Sequence, residues 1–313
     1  MYKIGIDLGG TNIAVGLVNE KYEIVSKKST PTLAKRGADA ILEDMARLCR
    51  ELCEERKMAL SDIDGIGIAT PGVANSEDGV AEYCNNIYFR KYPIVAKLRE
   101  LTGVQNIKLE NDANAAALGE AVAGAAKDAR ISMIVTLGTG VGGGIVIDGK
   151  VYSGFNFVGG ELGHMVIEKD GVPCSCGRHG CWEVYSSATA LARMTREKIE
   201  ECRAEGRHTS MFTVPKISGR TACDAMRAGD AAAREVYEKY ISYLATGLAN
   251  VINIFQPEVV SLGGGISNEG QSLIDDLLPL VRQQTYGYGY IKLTDIRIAA
   301  LGNDAGIIGA AAL

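Results

Sequence analysis

A pattern near the start of the chain returns in its middle and restricts the folds open to this sequence. Residues 2–8 (YKIGIDL) read as a strand, glycines turn the chain, and residues 12–18 (NIAVGLV) read as a second strand. The turn Leu8-Gly9-Gly10-Thr11 has a counterpart in Leu137-Gly138-Thr139-Gly140, at an offset of 137 − 8 = 129 residues. This repeat predicts two lobes of one plan, each opening on a glycine-turned hairpin.

The rest of the chain alternates between strand and helix patterns, which is typical of the α/β class. We expect a small α/β lobe made of residues 1–113 and 300–313, and a large α/β lobe made of residues 114–299. Helices are predicted at 38–57, 94–101, from 113, at 231–254, from 271 and at 304–313, and further strands at 22–27, 63–69, 107–109, 131–137, 144–147, 259–262 and 296–300.

Composition and charge exclude several classes of protein. The formal net charge is 33 − 38 = −5 without a basic block, so we expect no nucleic-acid surface. No apolar run approaches the roughly 18 residues of a membrane span, so we expect no membrane partner. The first residues are interrupted by Asp7 and glycines and do not resemble a signal peptide. The sequence therefore predicts a soluble, cytoplasmic protein with a sizeable core.

The second glycine turn satisfies the pattern GxGxxG at residues 138–143. A dinucleotide-binding fold needs a helix after that pattern, whereas the residues that follow here read as a strand, so we reject that fold. Backbone N–H groups of a turn rich in glycine and threonine can still bind phosphate. Ordinary hairpin turns remain the alternative. Two related turns, together with a third at residues 263–265, favour nucleotide binding.

The segment Glu110-Asn111-Asp112-Ala113-Asn114 lies where a strand gives way to a helix. Phosphoryl transfer to a hydroxyl needs an acceptor for the hydroxyl proton, and a carboxylate within hydrogen-bond reach can serve. The alternative is that Asn111 or Asp112 only caps the helix, which is a favoured use of both residue types. The residues alone leave the two interpretations equal.

Three cysteines, Cys174, Cys176 and Cys181, fall within eight residues, and His164 lies ten residues before the first. Three thiolates and one imidazole are the ligands of a closed, tetrahedral structural zinc site, with His179 as a rival fourth ligand by spacing. Three unpaired cysteines remain the alternative. Gly177 and Gly180 would let the loop turn back on itself. The other five cysteines are interpreted as core or surface thiols: Cys49, Cys53, Cys84, Cys202 and Cys223.

Several motifs together resemble the ROK family of sugar kinases and sugar-responsive repressors. They are GIDLGGTNIAVGLV, ENDANAAALGE, TLGTGVGGG, GGELGHM, CSCGRHGCWE and LGGGIS, in the order expected of that family from Ile4 to Ala311. The resemblance implies two ribonuclease-H-like lobes of the actin-like ATPase fold with a cleft between them. It also implies ATP-dependent phosphorylation of the 6-hydroxyl of a hexose. The glucokinase branch is the most similar, so glucose is the first expectation.

The resemblance assigns roles to individual residues. It makes Asp112 the catalytic base and selects His164 over His179 as the fourth zinc ligand beside Cys174, Cys176 and Cys181. For Glu161 and Glu183, which the resemblance implies bind the sugar, the alternative is an ordinary surface acid, the commonest location of a glutamate. The implied sugar-binding residues are Asn86, Asn111, Asp112, Glu161, His164 and Glu183. The implied ATP-binding residues are Gly9, Gly10, Thr11, Asn12, Thr139, Gly140, Gly264 and Gly265, with Asp7 near Mg²⁺.

Some alternatives stay open within this resemblance. Related branches phosphorylate N-acetylmannosamine, fructose or allose, and polyphosphate or ADP could replace ATP as the donor. A sugar-sensing regulator is the alternative from another class, but that branch carries an N-terminal helix-turn-helix, whereas here the first strand begins at Tyr2. A homodimer is expected because dimers are common in the family.

Overall fold

The computed structural model describes residues 1–84 and 87–313, so the prediction for Asn86 lies outside the described residues. The described chain forms two compact units. The first unit comprises Met1–Ile134, Gly144–Gly160 and Ala299–Leu313. The second unit comprises Val135–Gly143 and Glu161–Ile298.

The helices and strands of the described residues are of the predicted α/β class, but the helices over residues 183–186, 188–205 and 221–227 were not predicted. No helix in this part of the chain is both long and apolar enough to cross a membrane. The first half contains β1 (Tyr2–Leu8), β2 (Asn12–Asn19), β3 (Ile24–Pro31), α1 (Ala38–Glu55), β4 (Gly65–Thr70), β5 (Val73–Asn75), β6 (Val80–Cys84), β7 (Phe89–Tyr92), α2 (Ile94–Thr102), β8 (Ile107–Asn111) and α3 (Asp112–Ala123). The second half contains β9 (Ile131–Leu137), β10 (Val141–Ile147), β11 (Lys150–Val151), α4 (Glu183–Ser186), α5 (Ala188–Glu205), α6 (Thr221–Arg227), α7 (Ala231–Phe255), β12 (Val259–Gly263), α8 (Gln271–Gln284), β13 (Asp295–Ile298) and α9 (Ala305–Ala312).

Two five-stranded sheets share one strand order. The first is β3-β2-β1-β4-β8 and the second is β11-β10-β9-β12-β13. The offset seen in the sequence holds for the strands themselves, because β1 begins at residue 2 and β9 at residue 131, which is 2 + 129. The repeat therefore extends from the two hairpins to the whole order of each sheet. A separate three-stranded sheet, β5-β6-β7, has no counterpart in the sequence prediction.

Strand β1 separates two faces of the first unit by the alternation of its side chains. Ile4 and Ile6 are fully buried in the large core that includes α1. Gly5 and Asp7 point to the opposite face, where a Cβ on Gly5 would lie 1.9 Å from the carbonyl oxygen of Ile307 in α9. Helix α9 thus packs directly on the strand backbone, and only glycine permits this approach.

Helices α3 and α9 pack closely through small residues. A Cβ on Gly309 would lie 1.6 Å from the carbonyl oxygen of Ala115, and one on Gly119 would lie 2.4 Å from that of Ala305. This packing explains why the contacts place α3 in the first unit together with the C-terminal segment. The lobe boundary that we expected at residue 113 stays a prediction.

The centre of the second unit is built around Trp182, which is fully buried. Its ring packs on helix α7 at Gly247, where a Cβ would lie 2.0 Å from the indole. The indole N–H donates to the carbonyl of Tyr243 at 3.2 Å, so the one polar group of this side chain is satisfied. Helix α7 therefore fixes the chain immediately after Cys181.

Candidate active site

Asn111 and Asp112 occupy the end of β8 and the first residue of α3. Asn111 is the helix cap, because its Oδ1 accepts from the N–H groups of Ala113 at 2.9 Å and Asn114 at 3.2 Å. Its Nδ2 donates to the carbonyl of Gly72 at 3.0 Å. The capping role that the sequence left open therefore belongs to Asn111. The carboxylate of Asp112 is partly buried and accepts from the N–H of Ala113 at 2.9 Å.

Asp7 lies within electrostatic reach of Asp112. Burial, together with the negative charge of Asp112, raises the pKa of Asp7 to about 6, while Lys27 opposes the shift. The start of α9 covers this carboxylate, since a Cβ on Gly306 would lie 2.8 Å from Asp7 Cγ. Two neighbouring carboxylates, one of them poorly hydrated, are a donor set suited to a divalent cation that also binds phosphates.

A further acid, Glu110, was missed by sequence reasoning together with its partner Ser153. Glu110 is only 5% exposed, although it shares the side of β8 that carries the exposed Lys108. Its Oε2 accepts from Ser153 Oγ at 2.8 Å. The alternation of a strand would have placed Glu110 in solvent, so no local signal marks it. The signal lies 43 residues away in Ser153, which no pattern connects to β8.

The first glycine turn is fixed through its carbonyl groups. The N–H of Gly9 donates to the carbonyl of Asn12 at 2.9 Å. Thr32 donates its N–H to the carbonyl of Thr11 at 2.8 Å and its hydroxyl to that of Gly9 at 2.6 Å. Gly10, Thr11 and Asn12 are exposed. The turn is thus rigidly held from one side and accessible from the other, as a phosphate-binding turn must be.

The second glycine turn is held by the helices that follow the cysteine loop. The carbonyl of Gly138 accepts from the N–H of Ala188 at 2.8 Å, and the carbonyl of Thr139 accepts from Thr189 Oγ at 2.8 Å. At Gly140 a Cβ would lie 2.2 Å from Glu183 Oε2, so a larger residue there would displace the Glu183 carboxylate. A cavity of about 440 Å³ borders this turn, and Thr139, Gly140, Pro173, Glu183, Thr189 and Arg193 contribute to its wall.

The third glycine turn lies beside β9, the strand that leads into the second glycine turn. Gly264 has a φ of 83°, and a Cβ there would lie 2.6 Å from the carbonyl oxygen of Leu137 in β9. A short helical turn begins at Gly265, and Ser267 Oγ donates to the carbonyl of Gly264 at 2.7 Å. Within the second unit, the predicted phosphate residues 139–140 and 264–265 are therefore attached to the same strand.

The predicted metal ligands converge. One nitrogen of His164 and the sulfurs of Cys174, Cys176 and Cys181 all lie within 4.8 Å of one another. His164 Nδ1 lies 3.7 Å from Cys174 Sγ, and Cys176 Sγ lies 3.6 Å from Cys181 Sγ. Tetrahedral Zn–S bonds of about 2.3 Å place neighbouring sulfurs roughly 3.8 Å apart, so these spacings fit a metal centre. His179 is not part of this group, so the geometry favours His164 as the fourth ligand.

The cysteine loop turns as its glycines predicted. Gly177 and Gly180 have φ values of 86° and 75°, and a Cβ on Gly180 would lie 1.7 Å from the carbonyl oxygen of Glu168. Burial and the neighbouring thiols raise the pKa of Cys181, so a bound metal would have to displace its proton. The cysteines outside this loop are buried thiols, as one of the two predicted options had it: Cys49, Cys53, Cys84, Cys202 and Cys223.

Glu161 and Glu183 flank the metal cluster along the chain. Glu161 is exposed, and its carbonyl accepts from the N–H of His164 at 3.1 Å. Glu183 begins α4, two residues after Cys181, and its Oε2 accepts from the N–H of Val141 at 3.0 Å. The cluster therefore anchors the backbone that carries both glutamates.

Two sheets of one strand order, each opening on a glycine-turned hairpin, define the actin-like ATPase fold with two lobes, as predicted. The chain belongs to the ROK family, whose model matches residues 3–313. Among curated relatives, the chain is 37% identical to a glucokinase of Halalkalibacterium halodurans, over 98% of this chain and 92% of that protein.

Solved structures agree with this assignment. The ROK hexokinase of Thermus thermophilus has a TM-score of 0.82 and 34% identity, with 100% of this chain and 97% of that chain covered. The ROK glucokinase of Streptomyces griseus, solved in complex with glucose and AMPPNP, has a TM-score of 0.79 and 31% identity, with 99% and 98% covered.

Proposed function

We propose that this chain is an ATP-dependent hexose kinase that transfers the γ-phosphoryl group to the 6-hydroxyl of glucose. The observation that carries the proposal is the likeness, over almost the entire length of both chains, to a glucokinase solved with glucose and AMPPNP. The start of α3 supports it, because a partly buried aspartate stands there beside a capping asparagine.

Asp112 is the proposed catalytic base. Its position at the first residue of a helix that Asn111 caps gives the carboxylate a fixed direction, and its Oδ1 shares the N–H of Ala113 with Asn111. The carboxylate would accept the proton of the hexose hydroxyl as the bond from the hydroxyl oxygen to the γ-phosphorus forms and the bond from that phosphorus to the departing ADP breaks. In this proposal Asn111 also contacts the hexose, and Asn86 keeps its predicted sugar-binding role.

The glycine turns are the proposed phosphate-binding elements. In the first unit these are Gly9, Gly10, Thr11 and Asn12, and in the second Thr139, Gly140, Gly264 and Gly265. Asp7, whose pKa is raised by burial and by Asp112, is the proposed contact for the Mg²⁺ that accompanies ATP. The cation would offset charge on the phosphates. An acidic chain needs such local attraction because its net charge repels a polyanion.

Glu161, His164 and Glu183 are the proposed hexose-binding residues of the second unit. Carboxylate oxygens accept hydrogen bonds from hydroxyl groups, and their charge strengthens those bonds. His164 can serve both the metal and the sugar, because Nδ1 faces Cys174 and Nε2 is a separate donor or acceptor. We assign the metal as structural zinc, since three thiolates and one imidazole leave no position open for water.

The zinc assignment has its own test. Removing the metal with a chelator should raise the hexose KM before either unit unfolds, because the loop carrying the two glutamates loosens first. Metal analysis of the active protein should give about one zinc per chain. Well under one zinc in fully active protein would contradict the assignment.

An assay that couples ADP formation to a dye signal, run over a panel of hexoses, tests the function. We expect the highest kcat/KM with glucose, and the product should be the 6-phosphate. N-acetylmannosamine, fructose and allose test the neighbouring branches. With polyphosphate or ADP as the donor no ADP is formed, so the hexose 6-phosphate is measured directly. Binding of sugar without turnover for every member of the panel would favour a sugar-sensing regulator instead. The homodimer and the cytoplasmic location stay predictions.

A further inference from the structure

Glu110 lies outside the predicted site, yet its buried carboxylate accepts three hydrogen bonds. It is 5% exposed, and burial of a carboxylate is costly unless hydrogen bonds compensate. Its Oε1 accepts from the N–H of Asn111 at 2.8 Å and from Asn114 Nδ2 at 3.0 Å. Its Oε2 accepts from Ser153 Oγ at 2.8 Å. One carboxylate therefore joins the β8 end, the first turn of α3 and a distant segment.

The bonds to Oε1 bracket the proposed base. Asn111 immediately precedes Asp112, and Asn114 lies two residues after it. Asn114 is 2% exposed, and its Oδ1 has no hydrogen-bond partner in the described part of the chain. Glu110 is thus the group that orients this buried amide. The direction of the Asp112 carboxylate depends on the helix turn that these two bonds hold.

The hydrogen bond to Oε2 holds a closed loop at the point where its two ends meet. The carbonyl of Ser153 accepts from the N–H of Gly159 at 2.8 Å, which joins the two ends of the loop 153–159. A Cβ on Gly159 would lie 2.7 Å from the nitrogen of Gly154, so the two ends touch through backbone. The side chain of Phe155, within the loop, is 96% exposed. Two residues beyond Gly159 comes Glu161, one of the proposed hexose contacts.

We propose that Glu110 is a positioning residue that holds the Asn111–Asp112 turn and the loop 153–159 in register with each other, and that the Ser153–Glu110 hydrogen bond is the link between them. This proposal rests on the proposed function. Glu110 transfers no proton and touches no substrate in this scheme. It keeps the base and the loop 153–159, from which the chain runs on to Glu161, in one arrangement, so that the carboxylate of Asp112 stays in the position that the reaction needs.

The three donors differ in a way that yields a sharp test. The Asn111 N–H and the Asn114 amide can only donate, whereas the Ser153 hydroxyl can donate or accept. In Glu110→Gln the side-chain oxygen can still accept from the Asn111 N–H and from the Asn114 amide, and the new NH₂ can donate to the Ser153 hydroxyl. That variant should preserve the arrangement, whereas Glu110→Ala removes all three bonds and Ser153→Ala removes only the link.

The experiment compares these three variants with wild type and with Glu120→Gln, a matched control at a second buried glutamate, in the helix α3 that Glu110 precedes. Steady-state kinetics should show kcat lowered about 100-fold in Glu110→Ala, the typical cost of a small misplacement of a reacting group. Glu110→Gln should stay within about threefold of wild type. Ser153→Ala should raise the hexose KM about tenfold with the ATP KM unchanged, as expected for one lost hydrogen bond. Glu120→Gln should change neither constant in its folded fraction.

Amide hydrogen exchange provides a readout that does not depend on turnover. Exchange at residues 153–159 should accelerate in Glu110→Ala although the substitution is 43 residues away, and it should be normal in Glu110→Gln. Inactivity of the wild type with every hexose would overturn the proposed function. The link between Glu110 and the loop 153–159 would then be tested by hydrogen exchange alone. Wild-type kinetics and wild-type exchange in Ser153→Ala would overturn the positioning role while the function stands.

Discussion

The two ends of helix α3 each have a buried glutamate, and the two are bound in different ways. Glu110 precedes the helix and accepts from one backbone N–H and two side chains. Glu120, near the other end, is 1% exposed, and among the described residues it accepts from backbone alone, from the N–H groups of Ala125, Ala300 and Leu301 at 2.7–3.1 Å. A carboxylate bound by backbone alone belongs to the architecture, whereas one bound by side chains can serve a neighbouring site.

The largest expected effect lies at the first end of this helix. Asp112→Ala should lower kcat by about 10³-fold or more, because the hexose hydroxyl loses its proton acceptor. Glucose binding, measured by calorimetry, should persist, and the unfolding free energy should change little. Lys108→Ala, an exposed substitution in β8, is the control. Near-normal turnover of Asp112→Ala would show that Asp112 is not the base. The contrast between a functional first end and a structural second end of α3 would then be wrong.

The next effect lies at the other end. Glu120→Gln should lower the unfolding free energy by about 3 kcal/mol, because at least one backbone N–H then faces an NH₂ group and is left unsatisfied. Glu110→Gln should cost under about 1 kcal/mol, because Ser153 can exchange its role. Urea unfolding of both variants measures the difference. Equal losses would show that the identity of the donors does not separate the two glutamates.

A third measurement concerns the acids near the first end of the helix. The pKa of Asp7 is raised from 3.8 to about 6, so the folded state keeps this proton to a higher pH than the unfolded state. Stability of the metal-free protein should therefore fall as pH rises from about 4 to about 6. Asp7→Asn should remove this dependence and should be more stable at pH 7 by about 2 kcal/mol. An equal difference between the two proteins at pH 4 and pH 7 would contradict this.

The smallest expected effect concerns a helix start without chemistry. Asp230 caps α7. Burial raises its pKa, but hydrogen bonds from Ala233, Ser210 and Thr209 outweigh burial and hold it at about 2. Its stabilisation should be present above about pH 4 and lost as pH falls towards 2, the opposite direction to Asp7. Asp230→Ala should cost about 1 kcal/mol at pH 7, measured by urea unfolding, and should leave kcat unchanged. A loss of activity in Asp230→Ala would contradict the view that this helix cap contributes to stability alone.

The sequence carried the features that are local or repeated. The 129-residue offset and the strand-to-helix change at Asn111 depend on neighbours in the chain, and the structure shows both. It also brings Cys174, Cys176 and Cys181 together with His164, while their role as zinc ligands stays a prediction. Glu110 and Glu120 could not be predicted, because their burial depends on partners up to 181 residues away. Glutamate is also among the residues least often buried, so the general rule points the wrong way.

The contact between α9 and Gly5 of β1 affects how the first unit folds. Leu8 and Ala305 are 305 − 8 = 297 residues apart, and the whole of the second unit lies between them in the sequence. A nascent polypeptide therefore holds an open groove along β1 and β4 while the inserted residues are synthesised. Late closure of this kind slows folding and invites misassociation. A recombinant fragment of residues 1–134 should consequently aggregate rather than yield a separable half of the enzyme.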